Sequence, residues 1–113
     1  SMRILNSIIN QGEQIFYTSK HRQMIEDHVI FLRNHKTVTT INLAPMLSYR
    51  YMADFYGLLF HLNLQPEFHY SVLRLNGYKS PLDFKGTESS LLMCDVALIK
   101  RLTNTLKTQI KKA

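Results

Sequence analysis

The sequence predicts an α+β fold, in which a two-stranded antiparallel sheet with two helices between its strands is flanked by an N-terminal and a C-terminal helix. Two short runs, 37–43 and 90–94, have the length and the β-branched or apolar composition of strands. Two segments between them, 48–57 and 66–77, have helical spacing of apolar residues, and each ends in glycine. Since the chain has 113 residues, 45% of them hydrophobic, we expect a single domain with a small core.

The first part of that domain, residues 1–36, is predicted to be an apolar arm followed by a helix. The arm has four aliphatic residues at helical spacing, which would form one stripe: Ile4, Leu5, Ile8 and Ile9. Thr18 or Ser19 is suited to cap a helix that runs to about His35, because a hydroxyl can accept a hydrogen bond from a free backbone N–H. The buried face of that helix should hold Met24, Ile25, Val29 and Leu32.

The second part, residues 37–95, contains both strands and the helices between them. Its first helix is predicted to be capped by Ser48 and to stop at Gly57 in a left-handed conformation. Residues 58–65 form an apolar connection, which we expect to pack inward. Most aromatic residues lie in this part, and we expect them to build its core with two or three left exposed: Tyr49, Tyr51, Phe55, Tyr56, Phe60, Phe68 and Tyr70.

The second helix of this unit should begin at Pro66, whose missing N–H suits a first turn, and should stop at Gly77. Turn-forming residues at 80–86 then lead to the second strand. The third part, 96–113, is predicted to be a basic amphipathic helix capped by Asp95. Its apolar stripe repeats every four residues: Leu98, Leu102, Leu106 and Ile110.

The net charge of +6 is concentrated at the C-terminal end. From Asp95 onward the net charge is +4, which leaves +2 for the rest of the chain. A basic helix face can bind nucleic acid, an acidic partner or anionic lipid, although most such faces are simply solvated. The sequence has no apolar run of membrane-spanning length and no secretory signal pattern. Its single cysteine, Cys94, fits a reducing cytoplasm, and we expect it to be buried as a small apolar residue.

The histidines do not have the spacing of a metal site. His21, His28 and His35 are seven residues apart, which on a helix separates neighbours by about 10 Å, whereas zinc requires each ligand nitrogen at about 2 Å. We therefore expect half-exposed imidazoles rather than ligands, and we expect the same of His61 and His69. Because no nucleophile elbow or phosphate-binding glycine loop is present either, the sequence predicts no catalytic residue, no cofactor, no metal site and no enzyme.

The central unit resembles a known family. The stretches Ala-Asp-Phe-Tyr-Gly at 53–57, Leu-Arg-Leu-Asn-Gly at 73–77 and Ser-Pro-Leu-Asp at 80–83 resemble the LysM pattern. Within that superfamily the chain is most similar to the LysM-like baseplate wedge proteins of contractile-tailed bacteriophages. The resemblance implies a LysM-like strand–helix–helix–strand unit with five signature residues: Tyr56, Gly57, Asn76, Gly77 and Pro81.

Three functions follow from these observations. The resemblance implies a non-catalytic virion structural protein of the phage tail baseplate, which would assemble in the host cytoplasm through contacts with other baseplate proteins or with itself. The residues we expect at such contacts are Ile4, Leu5, Ile8, Ile9, Leu102, Leu106 and Ile110. The first alternative is a glycan-binding LysM module for peptidoglycan, although 85–88 lacks the Gly-Gln pair typical of sugar-binding members. The second is a small basic nucleic-acid-binding protein, while a membrane or a small-molecule substrate is not expected.

Overall fold

The computed structural model of the protein describes residues 13–112, and the side chains of 13–111. Over that range the chain is α+β, as predicted, and the predicted apolar arm lies outside it. The strands are β1, Thr39–Asn42, and β2, Ser90–Met93. The α-helices of this range are α1, Ser19–Arg33; α2, Pro45–Arg50; α3, Phe55–His61; α4, His69–Leu75; and α5, Val96–Lys112. Short 3-10 turns occur at Gln14–Tyr17, Pro66–Phe68 and Pro81–Asp83.

The two predicted strands pair with each other in an antiparallel two-stranded sheet, which confirms their expected pairing. Thr39 lies opposite Met93, and Asn42 lies opposite Ser90. β1 is shorter than the predicted 37–43, because the backbone N–H of Val38 still donates to the carbonyl of His35 in the turn that follows α1. At its other end, Pro45 begins a helix. The sheet is therefore small, and it depends on the helices that pack around it.

Helix α1 forms where the sequence predicts it. Thr18 is its N-cap, and the Thr18 hydroxyl accepts a hydrogen bond from the backbone N–H of His21. The predicted apolar face is confirmed, since Ile25 and Leu32 are buried and Met24 and Val29 pack against the same cluster. Beside this face, Glu26 accepts hydrogen bonds from Arg74 Nε at 2.6 Å and from the Tyr70 hydroxyl at 2.7 Å, both on α4. Apolar and polar contacts thus join α1 to α4.

The predicted single helix at 48–57 is wrong, because two short helices replace it. α2 begins at Pro45 and α3 begins at Phe55, so three α-helices rather than two lie between the strands. Ser48 is not a cap: it is buried within α2, and its hydroxyl donates to the carbonyl of Glu88 at 2.6 Å. The chain reverses between α2 and α3 at Ala53, whose φ is +60°. A left-handed non-glycine residue at this point is a turn conformation that sequence spacing does not predict.

The role predicted for Gly57 is also wrong. Gly57 lies inside α3 without a positive φ, and the α3 N-cap Asp54 accepts a hydrogen bond from its N–H at 3.0 Å. A Cβ on residue 57 would stand only 2.2 Å from Asp54 Oδ2. Glycine allows the capping carboxylate to approach the helix this closely. The prediction for Gly77 is confirmed, since Gly77 follows α4 with a φ of +82°.

The first half of the expected connection at 58–65 belongs to helix α3, which ends at His61. Leu58 and Leu59 are fully buried, whereas Phe60 is 65% exposed, so only part of this segment packs inward. Tyr49 is the other strongly exposed aromatic residue of this region, which agrees with the expected two or three.

Two apolar clusters make up the core, and α4 lies between them. The first surrounds α1 and α5 and contains Phe16, Ile25, Leu32, Phe68, Leu75, Cys94, Leu98 and Ile99. The second surrounds α3 and the sheet and contains Leu43, Phe55, Leu58, Leu59, Val72, Leu73, Phe84 and Leu91. Tyr70 and Leu64 pack against both clusters. Helix α4 is therefore buried on most of its surface, and it holds the two halves of the molecule together.

Helix α5 is capped by Asp95 as predicted, since Asp95 Oδ1 accepts from the N–H of Ala97 at 3.0 Å. The predicted stripe is only partly buried. Each residue of an α-helix is rotated by about 100° from the one before it, so residues spaced by four are offset by about 40° around the helix axis. A stripe with this spacing therefore does not stay on one face of the helix. Leu98 is buried, while Ile110 is 40% exposed; Ile99 and Thr103 complete the buried face instead. No helix of residues 13–112 is long and apolar enough to cross a membrane.

The contact between Gly57 and Asp54 can be tested with a double-mutant cycle. Alanine at position 57 favours the helix by about 1 kcal/mol, but in the wild type its methyl group must displace the Asp54 carboxylate, which costs about the same. We therefore expect Gly57→Ala to leave the free energy of unfolding nearly unchanged in the wild type and to raise it by about 1 kcal/mol in an Asp54→Ala background. Denaturant unfolding measures both values, and equal effects in the two backgrounds would contradict the contact.

Candidate functional site

The side chain of Asn76 hydrogen-bonds to the backbone of β2 on the side that faces away from β1. Its Oδ1 accepts a hydrogen bond from the N–H of Leu92 at 2.7 Å, and its Nδ2 donates to the Leu92 carbonyl at 3.0 Å. Nδ2 also donates to the carbonyl of Val72 at the end of α4, at 2.8 Å. The amide thus acts toward β2 as a neighbouring strand would. Because Gly77 follows with a positive φ, the chain can turn away directly after this contact.

The loop before β2 is held by two acidic side chains. In the first turn, Asp83 Oδ2 accepts from the N–H groups of Lys79 and Ser80, and Pro81 occupies the first position of the 3-10 turn that Ser80 caps. Pro81 therefore has a local conformational role at its signature position. Phe84, which follows, is buried in the second cluster.

In the second turn the Glu88 carboxylate folds back onto its own loop. It accepts hydrogen bonds from the backbone N–H groups of Lys85, Gly86 and Thr87 and from the Tyr78 hydroxyl. Burial opposes ionisation of Glu88, but these donors outweigh it, and the pKa of Glu88 lies below its usual value. Burial and the neighbouring carboxylate raise the pKa of Tyr78 to about 12. Sequence reasoning missed this role of Glu88, and its only sequence signal is an acidic residue two positions after Gly86.

A groove opens where β1 passes into α2. It has a volume of about 460 Å³ and is lined by Leu43, Pro45, Met46, Tyr49, Gly86, Thr87, Glu88 and Ser89. Along it, Met46 is 76% exposed and Tyr49 is 67% exposed, and Met52 is also exposed. Gly86 is buried with a φ of +89°, and a Cβ there would come within 2.9 Å of the Met52 Cβ. The loop before β2 therefore lies directly against the turn that follows α2, and the exposed side chains form one apolar face.

The predicted contact residues of α5 have different surroundings. Leu102 packs against the first core cluster. Leu106 lines a shallow groove between α1 and α5 together with Met24 and His28, and Ile110 is exposed beyond it. The four predicted contact residues of the arm, Ile4, Leu5, Ile8 and Ile9, lie outside the described residues. The structure thus leaves Leu106 and Ile110 partly accessible to a partner, whereas Leu102 contributes to the core.

The expectation of half-exposed histidines is wrong for His21 and His69, which are buried. The Thr103 hydroxyl donates to the carbonyl of Ile99, so it must accept the hydrogen bond that joins it to His21 Nε2 at 3.0 Å. Nε2 of His21 therefore carries a proton, and because burial lowers the pKa of His21 to about 4, the imidazole is neutral near pH 7. His28 and His35 are half-buried and His61 is exposed.

Cys94 is buried, as expected, and burial raises the pKa of its thiol to about 11. The half-buried ring of Tyr56 packs against His69, with their centroids 5.4 Å apart. Within residues 13–112 there is no group of three or more His, Cys, Asp or Glu side chains that could hold a metal ion.

Comparisons with protein-family models, with curated proteins and with solved structures find no match for this chain.

Replacing Asn76 should strongly destabilise the protein. In Asn76→Ala the N–H and carbonyl of Leu92 lose their partner, whereas the Val72 carbonyl keeps the backbone N–H of residue 76, and we expect the free energy of unfolding to fall by about 2–4 kcal/mol. The backbone amide of Leu92 should also exchange its hydrogen faster. The matched control is Asn104→Ala on the exposed side of α5, which should change stability by less than about 0.5 kcal/mol. Similar small losses in both variants would show that the Asn76 amide does not support β2.

Proposed function

We propose that this chain is a non-catalytic structural adaptor of a phage virion, which acts in the tail baseplate through protein–protein contacts. The observation that carries this proposal is the resemblance of 53–57, 73–77 and 80–83 to the LysM-like baseplate wedge proteins. In this view residues 37–95 are a LysM-like unit that presents surfaces to neighbouring proteins.

The geometry of the signature residues supports the proposal. The two strands that bracket the unit pair with each other, and Asn76 and Gly77 join the last helix of the unit to β2. Such a unit is rigid, because its loops are held by internal hydrogen bonds of Asp83 and Glu88. The unit differs from a two-helix arrangement in having α2 and α3 where one helix was expected.

Exposed apolar side chains give the adaptor surfaces with which to bind. Met46, Tyr49 and Met52 are exposed on one face of the α2 region, and Ile110 is exposed near the end of α5. Grouped apolar side chains on a small domain are typical of protein interfaces. The basic helix is less suited to nucleic acid, since Lys107 forms an ion pair with Glu13 and Lys100 lies over the ring of Phe68.

The assembly role predicts a specific effect of truncation. Within residues 13–112 two clusters of buried apolar residues already form a core, and we expect a chain without residues 2–10 to fold. During infection by a phage that encodes it, the tagged full-length chain should sediment with tail baseplates in a density gradient, whereas the truncated chain should remain in the unassembled fraction. Circular dichroism and thermal unfolding check that the truncated chain is folded.

A control variant distinguishes the effect of the apolar side chains of the arm from the effect of its length. Replacing Ile4, Leu5, Ile8 and Ile9 by serine keeps the length of the arm and should release the chain from baseplates as the truncation does. If both altered chains sediment with baseplates as the wild type does, the arm is not a contact. If the wild-type chain never sediments with tails and tails assemble without it, the adaptor role itself is wrong.

A glycan-binding module is the second candidate function, and the groove beside α2 is the observation that favours it. The groove lies next to the first strand-to-helix loop, and an exposed tyrosine ring on its wall could stack on a sugar. Its other wall is formed by residues 86–89.

Peptidoglycan sedimentation separates the two candidates. For an adaptor, the purified chain should stay in the supernatant or be released by a salt wash. Retention that survives the wash, and that is lost in Tyr49→Ala but kept in Phe60→Ala, would instead support glycan binding in the groove. Phe60 is the matched control because its ring is equally exposed but does not line the groove.

A further inference from the structure

The two edges of the sheet differ in how they are satisfied. On β2 the backbone N–H and C=O of Leu92 point outward, and the Asn76 side chain hydrogen-bonds to both of them. Thr40 lies opposite Leu92 and Asn42 lies opposite Ser90 in the antiparallel register. In such a ladder, opposite residues alternate between pairs that bond to each other and pairs whose N–H and C=O groups point away. Since Leu92 points away from β1, Thr40 must point away from β2.

The same alternation applies along the rest of β1. Leu43, three positions after Thr40, donates its N–H to the carbonyl of Ser89, so residues 39, 41 and 43 face β2. Residues 40 and 42 therefore direct their backbone N–H and C=O groups to the open side of the sheet. In the part of the chain that the structure describes, no hydrogen bond is made by the backbone of Thr40 or Asn42 outside the sheet, and both residues are exposed. Among residues 13–112, β1 is thus an open strand edge.

We propose that this edge binds a second copy of the same chain, with the two β1 strands antiparallel. If Thr40 of each copy lies opposite Asn42 of the other, the outward groups of both residues pair with each other across the interface. Ile41 then lies opposite Ile41 of the other copy, on a twofold axis. This pairing is compatible with twofold symmetry, because Thr40 and Asn42 are each one residue away from Ile41. The result is a four-stranded sheet made of two identical halves.

The charge distribution favours a second copy at this place. Each chain carries a net charge of +6, so two copies repel one another, but no charged residue occurs from Thr37 to Tyr49. β1 also lacks the lysine or proline that natural proteins place on edge strands to prevent pairing. Ile41 is half-buried against its own core and has apolar surface left to contact its equivalent. An uncharged, β-branched edge on a basic protein is therefore suited to self-association, and this inference does not depend on the virion role.

The oligomeric state and the exchange of backbone amides test the proposal together. In sedimentation velocity the full-length chain should pass from monomer to dimer as its concentration rises. Over the same range, hydrogen exchange at Thr40 and Asn42 should slow at least tenfold, whereas Thr39 and Ile41, which already bond to β2, should change little. This second measurement needs no substitution. A chain that remains monomeric at its solubility limit, or a dimer whose Thr40 and Asn42 amides exchange as in the monomer, would overturn the proposal.

Two substitutions at one position locate the interface. Thr40→Pro removes an N–H that does not bond to β2, so the sheet should persist while dimer formation weakens at least tenfold. Thr40→Val keeps the N–H and the branched side chain and should dimerise like the wild type. A dimer of undiminished strength in Thr40→Pro would place the contact elsewhere, such as the Met46 and Tyr49 face or the N-terminal arm, and would refute pairing through β1.

Discussion

The amide of Asn76 is the contact on which the arrangement of this protein depends. A two-stranded sheet is marginal in water, and its edges offer unpaired backbone groups. Here one side chain satisfies the outward N–H and C=O of Leu92 on β2 and also donates to the Val72 carbonyl of α4. Because α4 also contributes to both core clusters, the sheet becomes attached to the centre of the molecule. The two halves of the core are then held in one geometry.

Polar groups inside the molecule join segments that are distant in sequence. His21 donates to Thr103 across α1 and α5, and Ser48 donates to the carbonyl of Glu88 across α2 and the loop before β2. Each bond satisfies a group that would be costly to bury alone. These contacts orient the elements around α4. The accessible features are the apolar face beside α2, the end of α5 and the open edge of β1.

The errors of the sequence-based prediction have a common cause. Ser48 has the right chemistry for a helix cap, and Gly57 has the right chemistry for a helix end, but both are used differently. The Ser48 hydroxyl donates a hydrogen bond to the carbonyl of Glu88, and the missing side chain of Gly57 leaves space for the carboxylate of the N-cap Asp54. Both outcomes depend on a third group whose position in space is not encoded by local spacing. The prediction that residues spaced by four form the buried stripe of α5 was only partly correct, because the position of the neighbouring elements decides which residues of α5 are buried.

The α+β class, the two strands, the buried face of α1, the left-handed Gly77 and the cap Asp95 could be predicted from the sequence, because each follows from local conformational preference or from periodicity. For the cap of α1 the sequence left Thr18 and Ser19 as alternatives, and the structure has Thr18. The resemblance to the LysM pattern also singled out Asn76 and Gly77 as signature residues. Only the tertiary structure decided what Asn76 binds, that His21 is neutral and buried, and which side of β1 is open. Those properties depend on groups brought together from distant parts of the chain, and hydrogen bonding and desolvation act on distances in space rather than on positions in sequence.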